Sequence, residues 1–122
     1  MKDLTVTLEN RPGTLADVAE ALGKAGVNIE GFCGFAAGGQ GTGHVLVEDA
    51  GRARSAIEGA GASVSGERDV LLVNVENKPG AVGAVARRIA DAGVNIEVIY
   101  VAAGNRIVIG ASDLNKARSV VS

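Results

Sequence analysis

The chain has 122 residues, of which 18 are glycine and 47% are hydrophobic, so it can bury a core but only a thin one, which excludes a large multidomain enzyme. Lysine and arginine total 12 against 14 for aspartate and glutamate, and a net charge of -2 with no block of one sign leaves no basic face for nucleic acid. Aromatic residues are 2% of the chain (Phe32, Phe35, Tyr100), too few for a stacking platform, and no apolar run approaches the roughly 18 residues that span a bilayer.

Leu4, Val6 and Leu8 alternate with polar neighbours at the two-residue period of a half-buried strand. Leu15, Val18, Ala19 and Leu22 then fall at i, i+3, i+4 and i+7, the stripe of an amphipathic helix, with Asp17, Glu20 and Lys24 facing outward. Pro12 suits the first turn of that helix and Gly26 supplies a left-handed stop. A second strand is expected from Val27, a flexible hairpin loop over Ala36–Gly43 and a third strand over His44–Val47. Asp49 sits where an N-cap is wanted for a second helix reaching Ala60, and a fourth strand near Ala62–Ser65 closes the order β-α-β-β-α-β.

The same order then begins again. Leu8-Glu9-Asn10-Arg11-Pro12-Gly13 returns as Val75-Glu76-Asn77-Lys78-Pro79-Gly80, and the same spacing carries Ala25-Gly26-Val27-Asn28-Ile29-Glu30 onto Ala92-Gly93-Val94-Asn95-Ile96-Glu97. Val70–Val75 is the repeated first strand, and Val82, Val85, Ala86 and Ile89 repeat the helix stripe position for position. Strands over Val94–Ala102 and Arg106–Ile109 follow, then a helix from Asp113 to Val121. The register slips by three in the glycine-rich hairpin, after which Ala53-Arg54-Ser55 matches Ala117-Arg118-Ser119. The fold class is therefore α+β: two ferredoxin-like β-α-β-β-α-β units, 1–66 and 67–122, each an antiparallel sheet with helices on one face. The second unit lacks its own fourth strand. Either the first unit's fourth strand lies beside the second unit's first strand and serves both, or one long bent strand is exchanged between chains; either leaves an edge that predicts a homodimer.

The chemistry concentrates in the repeated Asn-(Arg/Lys)-Pro-Gly segment. It delivers the chain into a helix N-terminus, whose unpaired N–H groups and partial positive charge suit a carboxylate. Gly13 and Gly80 lack a Cβ and let a ligand approach, while Asn10 and Asn77 can donate and accept and Arg11 or Lys78 adds charge. A single copy of such a segment also reads as a plain turn with a helix cap. Two copies, each followed at equal distance by Gly-Val-Asn-Ile, favour binding.

Glu9-Asn10-Arg11-Pro12-Gly13-Thr14-Leu15 followed by Ala25-Gly26-Val27-Asn28-Ile29 resembles the ACT domain, as found in regulatory subunits of acetolactate synthase, and both halves carry the pattern. The resemblance implies a regulatory domain that binds a small molecule, usually an amino acid, where two such domains meet. It implies a first site of Asn10, Pro12, Gly13, Thr14 and Leu15, with Asn28 and Ile29 facing it from a second domain. The second set is Asn77, Pro79, Gly80, Ala81 and Val82, with Asn95 and Ile96. Ala81 stands where the first unit has Thr14, so a hydroxyl is missing there.

No nucleophile and base set is legible, so no catalysis, cofactor or metal is expected. Cys33 is alone and reads as a small buried thiol, and His44 has no partner ligands for a metal. Gly38-Gly39-Gln40-Gly41-Thr42-Gly43 fits no nucleotide-binding spacing, and Glu30 and Glu97 read as solvated or interface acids. An alternative function is a subunit that docks on a separate metabolic enzyme; an acylphosphatase on the same fold lacks its glycine-rich motif here. Met1-Lys2-Asp3-Leu4 has no apolar leader pattern, and a cytoplasmic location is expected.

Overall fold

In a computed structural model, described over residues Met1–Val121, the alternating N-terminal segment forms strand β1 (Lys2–Glu9). The amphipathic stripe becomes α1 (Thr14–Lys24), followed by β2 (Gly31–Ala37), β3 (Gln40–Val47), α2 (Ala50–Gly59) and β4 (Ser63–Asp69). These elements make one compact unit, Met1–Asp69, whose strands run antiparallel in the order β4-β1-β3-β2. Leu4, Val6, Val45 and Val47 on one sheet face bury against Val18 and Leu22 of α1 and Ala53 and Ile57 of α2.

From Val70 onward a second compact unit repeats the plan with β5 (Leu71–Asn74), α3 (Ala81–Asp91), β6 (Ile96–Ala102), β7 (Arg106–Ala111) and α4 (Leu114–Val121). Its antiparallel strands run β6-β7-β5, and Leu71, Val73, Ile107 and Ile109 bury against Val85, Ile89 and Ala117. The fold is thus α+β, with helices on one face of each antiparallel sheet.

Local chemistry sets the helix ends. Asp49 accepts from the Arg52 N–H and Asp113 from the Lys116 N–H, each at 3.0 Å, so both aspartates cap their helices. Gly26 and Gly93 take left-handed φ of 74° and 76° after α1 and α3. The next amides reach back, Val27 to Leu22 O at 2.9 Å and Val94 to Ile89 O at 3.2 Å, and close the helix ends.

Those bonds explain one difference from the sequence reading. The second strand starts at Gly31 rather than Val27, because the Val27 N–H and side chain are both committed to the end of α1, and the ladder begins with Glu30 N to Leu46 O at 2.9 Å. For the same reason β6 starts at Ile96 rather than Val94. The glycine-rich stretch is not a flexible loop. It is strand on both sides of a two-residue Gly38-Gly39 turn, because β1 pairs along it through Thr7–Thr42, Leu8–Gly41 and Glu9–Gln40. β4 runs on to Asp69, where its carboxylate meets Lys2 Nζ at 2.7 Å. Within their own units β4 pairs with β1 and β5 with β7.

Candidate functional site

Arg11-Pro12-Gly13-Thr14 is a type II turn: the Thr14 N–H bonds Arg11 O at 3.4 Å, and Gly13 sits at φ 91° and ψ -16°. Pro12 thus precedes the N-cap rather than lying in the first turn of α1 as expected: it fixes the first central residue of the turn, and the positive φ of the second requires glycine. Lys78-Pro79-Gly80-Ala81 repeats it, with Ala81 N to Lys78 O at 3.3 Å and Gly80 at φ 87° and ψ -9°. Each turn leaves its glycine as N-cap with no side chain covering the helix end. The first intrahelical bonds run from Asp17 N to Gly13 O and from Ala84 N to Gly80 O, both 2.9 Å. The amides of Leu15, Ala16, Val82 and Gly83 precede them and point out of the helix ends.

The flanking charges are paired. Arg11 Nε lies 2.6 Å from Glu9 Oε2, and that hydrogen bond, with the Coulombic attraction behind it, raises the guanidinium pKa above its ordinary value. Lys78 Nζ meets Glu76 Oε2 at 3.1 Å. The mouth of each turn therefore offers one cation and one anion, which suits a zwitterion better than a bare anion.

The Thr14 hydroxyl lies 2.7 Å from Glu9 O and 3.1 Å from Arg11 O, so its proton is shared by carbonyls of the turn itself. Asn10 is tied to the β2–β3 hairpin by its N–H to Gly39 O at 3.1 Å and its Nδ2 to Gly38 O at 3.4 Å. Ala81 makes no equivalent of the Thr14 contacts.

Asn10, Arg11, Gly13, Thr14 and Leu15 come together at the rim of a cleft of about 270 Å³ on the helix-bearing side of unit one. Its walls are Val6, Leu8 and Val18, and its floor is built by Gly34, Gly41 and Gly43 of the hairpin with the Phe32 ring. Asn28 is elsewhere, in a separate cleft with Gly26, Glu30, Asp49 and Arg52, where its Nδ2 donates to the Glu30 carboxylate. Ile29 follows Asn28 in the chain and is 36% exposed. Within one unit, then, the turn and the Asn28-Ile29 pair do not share a site. In unit two, Asn95 is bound to Ser112, N–H to Oγ at 3.1 Å.

Sequence reasoning missed the hairpin glycines and Phe32. The signal was present: carrying the repeat through its three-residue slip puts Val101 and Ile107 where unit one has Gly34 and Gly43.

On the opposite sheet face, His44 Nδ1 lies 2.9 Å from Oδ2 of the fully buried Asp3, and Cys33 is the cross-strand neighbour of His44. His44 therefore does have a cysteine beside it, contrary to the sequence reading. Burial pushes the Cys33 thiol pKa up, partly offset by a backbone hydrogen bond from His44. A thiol so placed is held in its less nucleophilic form. No cluster of three metal-ligating side chains exists among the described residues, and no helix among them is long and apolar enough to cross a membrane.

The sequence profile of the ACT domain matches residues 2–57. A protein of known structure from Bacteroides thetaiotaomicron is 31% identical and superposes with a TM-score of 0.84, over 98% of this chain and 84% of that one. The regulatory subunit of aspartate kinase from Thermus thermophilus superposes with a TM-score of 0.68 at 20% identity, over 99% of this chain and 93% of that one. Its counterpart from Thermus flavus gives 0.65 at 22%, over 98% and 91%; both share the fold. No curated protein matches the sequence.

Proposed function

This chain belongs to the ACT domain family, and from that premise we propose that it is a non-catalytic regulatory protein that binds an amino acid at the turn leading into α1. The observation that carries the reading is the type II turn of Arg11–Thr14, which opens uncapped amides of a helix onto the rim of an apolar cleft. A ligand carboxylate fits those amides and the helix dipole. The paired Glu9 and Arg11 balance a zwitterion's charges, and Asn10 can both donate to it and accept from it. Asn28 and Ile29 cannot reach this rim from within their own unit, so a role for them requires a domain of a second chain, in keeping with a homodimer.

The test is a thermal-shift screen of the purified protein against the twenty amino acids at millimolar concentration. A ligand that binds only the folded state raises the melting temperature, by a free energy of about 2.7 kcal/mol at a hundredfold excess over Kd. The expected result is a rise confined to a few chemically related amino acids. A flat screen overturns the reading and favours docking on a separate enzyme, which pull-down of an enzyme partner would then identify.

A further inference from the structure

We infer that unit one alone takes the ligand, one per chain, and that the ligand is an amino acid with a large apolar side chain laid in the glycine-floored trough. The inference rests on the amino-acid reading above and adds the ligand's class and its stoichiometry.

The two units differ at the cross-strand pair that forms the floor of the cleft. In unit one Gly34 on β2 faces Gly43 on β3, and in unit two the matching pair is Val101 on β6 and Ile107 on β7. Both pairs lie on the helix-bearing side of their sheets, next to Phe32–Val45 in the first unit and Ile99–Ile109 in the second. Neither Gly34 nor Gly43 has a positive φ, so the backbone does not require glycine at either position. Glycine inside a strand weakens it and marks a place where something must approach the backbone closely. In unit two Ile107, at the Gly43 position, packs into the core and is 1% exposed, while Val101, at the Gly34 position, stays 64% exposed.

In unit one the space is only partly taken. A methyl placed on Gly34 would come within 3.2 Å of Phe32 Cζ, and one on Gly43 within 3.5 Å of Phe32 Cε2, so the ring lies along the glycine pair. Yet Phe32 remains 42% exposed, an apolar surface left open beside the α1 turn. A ligand whose carboxylate meets that turn has this trough available to its side chain. Leucine, methionine or phenylalanine would bury apolar area against Phe32, Val6 and Leu8. A charged side chain there would lose its hydration without gaining a partner, since Arg11, the one ionisable residue of the cleft, is held by Glu9.

Isothermal titration of the intact protein with leucine, methionine, phenylalanine, glycine, threonine and lysine tests this. The expected result is one site per chain, with a large apolar amino acid favoured over glycine and lysine by at least about tenfold, the least that a methylene or two is worth in an apolar pocket. Gly43→Ile, which copies unit two, is expected to weaken binding by at least the same factor. Gly43→Ala is the gentler variant, because its methyl meets only ordinary contacts of 3.4 Å to Cys33 O and 3.5 Å to Phe32, and it should weaken binding while keeping the melting temperature. Two sites per chain, a preference for glycine, threonine or lysine, or a folded Gly43→Ala with undiminished affinity would overturn the inference and leave the amino-acid reading standing. No heat with any amino acid would overturn both.

Discussion

At the level of single residues, chain geometry separates glycines that look alike in sequence. Gly13 and Gly80 sit at φ 91° and 87°, where a Cβ would meet nothing within 4 Å, so replacing them strains the backbone without any clash. Gly23, inside α1, also has open space around its missing Cβ and carries no positive φ. Gly13→Ala should therefore destabilise the protein by about 1 to 2 kcal/mol, the cost of the left-handed conformation for an L-residue. Gly23→Ala should stabilise it by about 0.5 to 1 kcal/mol through helix propensity. Urea melts of the two variants read the sign directly, and equal shifts would remove the argument from the turn. The Asn-x-Pro-Gly turns were legible in the sequence because turn chemistry is local: proline sets one dihedral and glycine permits the next. The trough was not, because Gly34 and Gly43 mean nothing singly and become a floor only when β2 and β3 pair in register.

Among the elements, the helices were legible for a related reason. Their stripes, caps and stops are all set within a few residues, so Leu22 and Ile89 could be placed at matching core positions before any contact was known. Both are fully buried. Leu22→Ala and Ile89→Ala should each cost about 2 to 5 kcal/mol, the range for opening a cavity at such a site. Chemical denaturation would check it, and a loss below about 1 kcal/mol at either position would mean that its helix does not anchor its unit. Strand limits were less legible because pairing partners decide them. β3 reaches back through Gln40-Gly41-Thr42-Gly43 because β1 supplies hydrogen bonds along its whole length. β4 reaches Asp69 through the polar run Gly66-Glu67-Arg68, where no alternation announces a strand, because Lys2–Leu4 lie opposite. The close of α1 did the reverse and withdrew Val27 from the sheet.

For the molecule as a whole, the repeat announced two units of one plan, but which strand edges stay open depends on pairings that a repeat does not encode. Among the described residues of its own unit β5 has one partner, β7, and no other strand lies along its far edge. Val75 N–H bonds Asn105 O at 2.9 Å, so by antiparallel alternation the amides of Leu71 and Val73 also turn toward β7, and those of Leu72 and Asn74 turn outward. The edge Leu71-Leu72-Val73-Asn74 carries no charge and no proline, the usual guards against pairing with another chain. A second copy could align its own β5 antiparallel about a twofold axis and satisfy both edges at once. We therefore expect sedimentation at micromolar concentration to find a dimer, and Asn74→Pro, which removes only an outward donor, to yield a monomer that keeps its fold. A wild-type monomer would sink the homodimer, whereas a dimeric Asn74→Pro would move the interface off β5. Because the ligand trough belongs to unit one and this edge to unit two, the monomeric variant should bind its amino acid with unchanged stoichiometry. If affinity falls as the dimer is lost, Asn28 and Ile29 of the second chain become the groups to substitute next.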